Sequence, residues 1–274
     1  MKCYKKVSIV LAMTLLVFMF FCAEVNCSDY ENESLPLPEG YPEDLLPLME
    51  GYNLISFNLK KSDEQQEIWL KYMLNIEDEK VATYYKDILN QGKLNSFDTW
   101  GIYTLTGELE GKDIEIKITE ERMHDNFQSI VQISLIGNID FLGMNNTGNK
   151  FDISSANNNI KDIDILPEDY PLELIPISGG SKVTYGQKQE YDGTEFVIQT
   201  YSKDEKESVI NFYKGILQDA INIEEGVMQD EYGILYTLGG IIETYKVSYV
   251  ISDNTMLGDG YKTINNINIK ILKD

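Results

Sequence analysis

The chain has 274 residues, a formal net charge of −22 and three cysteines, and 43% of its residues are hydrophobic. A chain this acidic repels nucleic acid, because neutralising phosphate requires clustered lysine and arginine, so we expect no DNA or RNA partner. The hydrophobic content is sufficient for a packed core and argues against intrinsic disorder of the body.

Residues 1–27 have the layout of a secretory signal peptide. Three lysines precede an uncharged apolar stretch over residues 7–21, and small residues follow it. We therefore expect an extracytoplasmic protein, either secreted or anchored to the outer face of the cell membrane. The alternative is an uncleaved membrane anchor, although the apolar stretch is short for a span.

All three cysteines, Cys3, Cys22 and Cys27, lie in this leader, so the body has no thiol for a disulfide, a metal site or a nucleophile. Cys27 is the candidate lipid-attachment residue of a lipoprotein, with residues 28–34 as a polar tether. The preceding residues depart from a lipobox, and cleavage after Cys27 by an ordinary signal peptidase fits as well. We expect membrane contact only through the leader or a lipid on Cys27.

The body contains an internal repeat. Residues 38–51, PEGYPEDLLPLMEG, align with residues 167–180, PEDYPLELIPISGG, with seven identities in fourteen positions at a shift of 129 residues. A repeat of this kind predicts two copies of one structural unit. We place the first copy at residues 35–137, an Asn-rich linker at 138–165 and the second copy at 166–274.

Each copy continues through the same predicted elements. Two strands come first, and then an amphipathic helix whose apolar residues recur at i, i+3, i+4, i+7 and i+8. Three strands follow, with the two-residue alternation of half-buried strands. The order β-β-α-β-β-β predicts an α+β fold: two tandem two-layer domains, each an antiparallel sheet of about five strands with one helix. The helix residues are Val81, Tyr84, Tyr85, Ile88 and Leu89, repeated as Val209, Phe212, Tyr213, Ile216 and Leu217.

Residues that would carry common chemistries are scarce. His124 is the only histidine and lies in a polar turn, where an exposed loop residue is the simpler interpretation. We expect no metal and no cofactor, since nucleotide and phosphate motifs are missing from the sequence as well. Oxygen ligands around the linker leave calcium as a minor alternative, without the spacing of a known loop. These are Asp152, Asn157, Asn159, Asp162 and Asp164.

Carboxylate pairs are the remaining enzymatic option, as in glycoside hydrolysis. With 45 acidic residues, such pairs arise by chance throughout the chain. Glu67 and Glu195 occupy matching repeat positions at the start of a strand, where a solvated role is sufficient. We therefore predict that the protein is not an enzyme.

The second strand of each copy predicts a surface. Its Ile68, Leu70 and Tyr72 side should face the helix, so that Trp69 and Met73 point away from it, as does Tyr201 in the second copy. Trp69, Met73 and Tyr201 are therefore the candidate binding residues, for a protein, peptide or glycan of the envelope. The alternative is that the two copies or their loops bury this face.

The opening Pro-x-x-Tyr-Pro-x-x-Leu-x-Pro segment and the later Tyr-Lys-x-Ile-Leu helix resemble exported tandem α+β proteins of low-GC Gram-positive bacteria. The resemblance covers both copies, implies a cell-envelope protein and transfers no functional residue. Our first hypothesis is a non-catalytic binding or accessory protein of the envelope. The alternatives are a carboxylate-dependent hydrolase of wall or matrix polymer, and an acidic scaffold or inhibitor of a basic partner.

Overall fold

A computed structural model describes residues 34–62, 65–89, 101–124, 126–138, 156–190, 193–230, 233–254 and 260–272, and the backbone of residues 95–99. The leader with Cys27, most of the tether and linker residues 139–155 lie outside the described residues. Residues 32–274 form one compact unit. Among the described helices, none is long and apolar enough to cross a membrane.

The described residues form twelve strands and two α-helices, which follow one another in two similar series. The strands of the first repeat are β1 (Asn53–Lys61), β2 (Gln66–Leu74), β3 (Asn95–Thr99), β4 (Ile102–Leu109), β5 (Lys112–Glu120) and β6 (Ser129–Gly137), with helix α1 (Asp78–Leu89) after β2. Those of the second are β7 (Lys182–Glu190), β8 (Thr194–Ser202), β9 (Ile221–Asp230), β10 (Gly233–Ile242), β11 (Tyr245–Asp253) and β12 (Thr263–Ile271), with helix α2 (Lys206–Ile216) after β8. Short 3₁₀ helices span Ile163–Ile165 and Leu217–Asp219.

All twelve strands belong to one antiparallel sheet, in the order β3-β4-β5-β6-β2-β1-β9-β10-β11-β12-β8-β7. The predicted fold class, two α+β domains with separate sheets of about five strands, is therefore wrong. The fold is mostly β, each repeat contributes six strands, and the second sheet continues the first.

The join between the repeats is the pairing of β1 with β9, which runs antiparallel from Ser56 opposite Met228 to Lys61 opposite Ile223. We call this pairing the seam. Strand β9 and its first-repeat counterpart β3 are the two strands that the sequence pattern did not predict. Their sequences, NSFDT and INIEEGVMQD, lack a clear alternation of apolar and polar residues. Hydrogen bonding to neighbouring strands, rather than hydrophobic patterning, therefore defines them.

Each helix covers a hydrophobic core on one side of the sheet. In the first core, Tyr85 and Leu89 of α1 pack with Ile116 of β5, and in the second, Tyr213 of α2 stacks on Tyr249 of β11 at 4.1 Å between ring centroids. The first core also contains Val227 of β9, from the second repeat. The two cores therefore meet at the seam.

The repeated Pro-x-x-Tyr-Pro opening has a structural role. The hydroxyl of Tyr41 donates a hydrogen bond to the carbonyl of Leu46 at 2.7 Å, and that of Tyr170 donates to the carbonyl of Ile175 at 3.0 Å. Both rings are buried. Each tyrosine thus closes the turn that lays the segment over the core, which explains why this part of the repeat is similar in both copies.

Candidate binding face

Both helices lie on the same side of the sheet. Helix α1 contacts β4, β5 and β6, and α2 contacts β10 and β11. Cross-strand pairing places Leu70, Phe57, Val227 and Tyr236 in one row on this side, across the seam. No described helix or strand forms a layer on the other side, which we call the open face.

A straight row of residues crosses the open face through Trp69. It contains one residue from every strand, and most members carry an amide or a hydroxyl group. We call it the Trp69 row. In sheet order it is Asn95, Thr106, Glu115, Ser134, Trp69, Asn58, Gly226, Thr237, Val250, Asn266, Gln199 and Tyr185.

The three candidate binding residues do not form a single site. Trp69 and Met73 lie on β2, with Trp69 half-buried and Met73 only 7% exposed. Tyr201 lies on β8, six strand positions away in the sheet, which corresponds to about 29 Å at the usual strand spacing. Trp69 and Tyr201 could therefore contact the same ligand only if it were long.

Tyr201 has aromatic and basic neighbours of its own. Its ring lies 6.1 Å from that of Tyr261, and the Nζ of Lys203 lies 5.7 Å from the Tyr261 ring centroid. In the neighbouring strand it is opposite Ile264. This end of the open face therefore offers a small aromatic patch beside a lysine.

Charges on the open face are balanced, although the chain as a whole is strongly acidic. Six lysines and six acidic residues lie in four parallel rows of this face. These are the Trp69 row, the row on either side of it, and a short row in the second repeat that contains Lys246, Lys270 and Glu195. The net charge of −22 therefore resides elsewhere on the molecule. The lysines are Lys60, Lys71, Lys117, Lys182, Lys246 and Lys270, and the acidic residues are Glu67, Glu108, Asp113, Glu115, Glu195 and Glu224.

Small residues line the open face where it crosses the seam. Asn58 of β1 is opposite Gly226 of β9, which is opposite Thr237 of β10. Beside this row, Lys60 forms an exposed ion pair with Glu224, with 3.5 Å between Nζ and Oε1. Trp69 is thus adjacent to a part of the surface that lacks large side chains and that residues of both repeats form.

Sequence reasoning missed Asn58, Gly226 and Thr237 because their significance depends on the pairing of β1 with β9. No motif marks them, and Gly226 follows two glutamates in a stretch that has the composition of a loop. Only strand register places them beside Trp69.

His124 contacts a buried carboxyl group, so the expectation of a simply exposed loop histidine is incomplete. Its Nδ1 lies 3.0 Å from Oε1 of Glu121, which also accepts hydrogen bonds from the backbone N–H groups of Met123 and His124. Burial raises the pKa of Glu121, but these hydrogen bonds outweigh it, and the pKa lies below its usual value. The arrangement fixes the turn before β6.

A polar cleft of about 430 Å³ lies beside the repeat opening, lined by Tyr41 to Leu45 with Glu110 and Lys112. The hydroxyl of Tyr41 is already bonded to the Leu46 carbonyl. Burial raises the pKa of Tyr41 well above its usual range, so this hydroxyl stays protonated. The Tyr41 hydroxyl is therefore not available as a base or nucleophile in this cleft. Among the described residues, no cluster of three or more His, Cys, Asp or Glu side chains could hold a metal ion.

Comparisons with known proteins do not identify a family. No family model matches the chain, and no curated protein does. Two chains of solved structures match, one of them titled "Crystal structure of bifunctional dehydratase-cyclase domain in ambruticin biosynthesis". It is 6% identical, covers 81% of this chain and 96% of its own, and has a TM-score of 0.17. A likeness this weak carries no argument about fold or function.

Proposed function

We propose that the protein is a non-catalytic binding or accessory protein of the cell envelope, and that it holds its partner on the open face. The observation that carries this proposal is the balanced charge of that face within a chain of net charge −22. A surface with equal numbers of lysines and carboxylates can approach a neutral or mildly anionic partner, whereas the rest of the molecule repels anions.

The residue types of the Trp69 row support contact with an extended peptide or glycan. Trp69 offers a large rigid apolar surface, Asn58 and Ser134 on the neighbouring strands offer an amide and a hydroxyl group, and Thr237 offers a hydroxyl group further along the row. Aromatic side chains with adaptable polar neighbours are typical of protein binding surfaces. A ligand lying along the row would cross both repeats, which gives the continuous sheet a function that two separate sheets would lack.

The alternative of a carboxylate-dependent hydrolase receives no support from the described carboxyl groups. A general acid of this class needs a raised pKa. The hydrogen bond from Lys188 lowers the pKa of Asp169, and the pKa of Glu121 is lowered as well. In both of these carboxyl groups the pKa is therefore shifted in the direction opposite to that of a general acid.

Capture from a solubilised envelope extract tests the proposal, using immobilised chain with Trp69→Ser and Tyr201→Ser introduced singly and together. We expect the Trp69 variant to lose most of the captured partner while its melting temperature stays close to that of the wild type. Met123→Ser, an exposed apolar residue in the turn before β6 and outside the Trp69 row, is the control and should retain capture.

Three results would contradict the proposal. A lowered melting temperature with capture intact would mean that Trp69 serves packing alone. Hydrolysis of purified wall polymer, abolished by changing one carboxylate, would make the protein an enzyme. Capture that disappears in moderate salt and is insensitive to Trp69 would favour the acidic scaffold, because exposed charges are screened under those conditions.

A further inference from the structure

The two outermost strands of the sheet are the counterparts of the two strands that pair at the seam. Strand β7 corresponds to β1, because each pairs with the strand that follows it in the chain. Each also has a register shift at the same repeat position, between Leu54 and Ser56 in β1 and between Val183 and Tyr185 in β7. Residues 185–189 of β7 therefore correspond to residues 56–60 of β1.

Strand β3 corresponds to β9 in the same way. Phe97 of β3 is opposite Thr104 of β4, and at the equivalent repeat position Gly226 of β9 is opposite Thr237 of β10. Strand β3 has five residues and β9 has ten, so β3 matches only the part of β9 that faces residues 56–60. Residues 185–189 of β7 at one end of the sheet and β3 at the other have no strand partner on their outer edge among the described residues. These two edges are complementary in the same way as β1 and β9 at the seam.

We propose that the edge of β7 pairs with the edge of β3 of a second copy, head to tail, in the register of the seam, and that residues 161–169 restrict this pairing. In that register Gln187 is opposite Phe97 of the second copy, as Asn58 is opposite Gly226 within the chain. Because the two edges differ, each added copy leaves a new free edge, and the product is a linear chain rather than a closed dimer.

Exposed apolar side chains concentrate near these two edges. At the β7 end, Tyr185 is 40%, Ile163 is 43% and Ile165 is 39% exposed. At the β3 end, Ile102 of the neighbouring strand is 40% exposed. Four of the six large hydrophobic side chains that are exposed in the described residues are these. Unpaired strand edges with apolar side chains are the surfaces through which sheets associate.

Residues 161–169, which we call the strap, lie against the start of β7. Lys161 donates a backbone hydrogen bond to Ser181 at 2.9 Å and accepts one from Val183 at 3.0 Å. Further along, Lys188 of β7 forms an ion pair with Asp169, with 2.6 Å between Nζ and Oδ2. The strap thus occupies part of the edge that a second copy would approach.

Gly186 is what allows the strap to lie so close. A Cβ atom at this position would lie 2.5 Å from the carbonyl oxygen of Ile165 and 3.3 Å from Cδ of Pro167. The equivalent residue of β1 is Phe57, at the seam. A side chain at residue 186 would therefore displace the strap from β7, whereas the glycine lets it lie there.

The test uses residues 32–274 in sedimentation over a range of concentrations. We expect Gly186→Ala, which displaces the strap, to raise the average mass with concentration to at least twice that of the monomer. Asp169→Ala, which removes one ion pair of the strap without altering β7, should raise it less. Added salt should strengthen the association, because both copies are strongly acidic. A mass that stays monomeric in both variants would overturn the proposal.

A complementation experiment tests the head-to-tail arrangement. One chain combines Gly186→Ala with Asp98→Pro, which blocks β3, and the other carries Lys188→Pro, which blocks β7. In the register of the seam these residues turn their backbone N–H groups to the free edge, as Val183 does toward Lys161, and proline cannot donate to a sheet ladder. We expect each chain alone to be monomeric and the mixture to form a one-to-one dimer. Self-association of the first chain would mean that β7 pairs with β7, and a monomeric mixture would mean that the edges do not pair; either contradicts the proposal.

Discussion

The hydroxyl of Thr237 fills the space in which a side chain at Gly226 would lie. A Cβ atom on residue 226 would be 2.7 Å from Oγ1 of Thr237 and 3.3 Å from the carbonyl oxygen of Phe57. Thr237 also donates a hydrogen bond to the carbonyl of Gly226 at 3.3 Å. Because Phe57 belongs to β1 and the other two residues to β9 and β10, this close approach joins the two repeats.

Gly226→Ala should therefore destabilise the protein, by roughly 1–3 kcal/mol, as overpacking of a close-packed site usually does. Urea unfolding of the whole chain measures the change. Gly226→Ala combined with Thr237→Ala is the matched control: it removes the closest contact and should recover part of the loss. If Gly226→Ala alone is neutral, β9 can shift away from β1 without cost and the seam is loosely packed.

The ion pair between Lys60 and Glu224 should contribute much less to the seam. Both side chains are about half exposed, and exposed pairs contribute roughly 0.2–1 kcal/mol. Glu224→Gln should lower the free energy of unfolding by no more than this, and the difference should vanish in high salt. A loss that persists in high salt would show that Glu224 acts through packing.

Tyr170→Phe tests whether the tyrosine hydroxyl of the Pro-x-x-Tyr-Pro opening stabilises the fold. The substitution removes the hydrogen bond to the carbonyl of Ile175 and leaves this acceptor without it in the buried turn, at a cost of roughly 1–3 kcal/mol. Tyr41→Phe is the equivalent change in the first copy and should cost a similar amount, because the contact to Leu46 is the same. Thermal unfolding compares the two variants. A neutral result in both would mean that these tyrosines act only through their rings.

Stability should depend on pH through Glu121. Its pKa is lower in the folded protein than its ordinary value, so its charge stabilises the fold above the unfolded pKa of about 4.3, and this contribution is lost as the pH falls through the folded pKa. Glu121→Gln keeps an acceptor oxygen but no charge. The variant should be less stable than the wild type at pH 7, and the difference should shrink as the pH is lowered below about 4.5, near the unfolded value.

Urea unfolding at a series of pH values measures this difference. Glu120→Gln is the control, since the carboxylate of Glu120 is exposed and paired with Arg122. A constant difference between Glu121→Gln and wild type from pH 7 to pH 3 would contradict the assignment.

The repeat and its local elements were open to sequence reasoning because they depend on short-range patterns. The stripe from Val81 to Leu89 predicts a helix with one apolar face, and the structure buries Val81, Tyr85 and Leu89. The alternation of Ile114, Ile116 and Ile118 predicts a half-buried strand, and all three are buried in β5. Strands β3 and β9 were not predicted, because apolar and polar residues do not alternate in their sequences.

The sequence by itself determined that one unit occurs twice, which residues of its helices and of most strands face a core, and that the body lacks cysteine. The tertiary structure alone decided that the two units share one sheet. That outcome depends on the pairing of β1 with β9, between residues more than 160 positions apart, and backbone hydrogen bonds of this kind form between strands of almost any composition. It also decided the row in which Trp69 lies, since register across twelve strands is set by the hydrogen bonds and bulges of every strand pair.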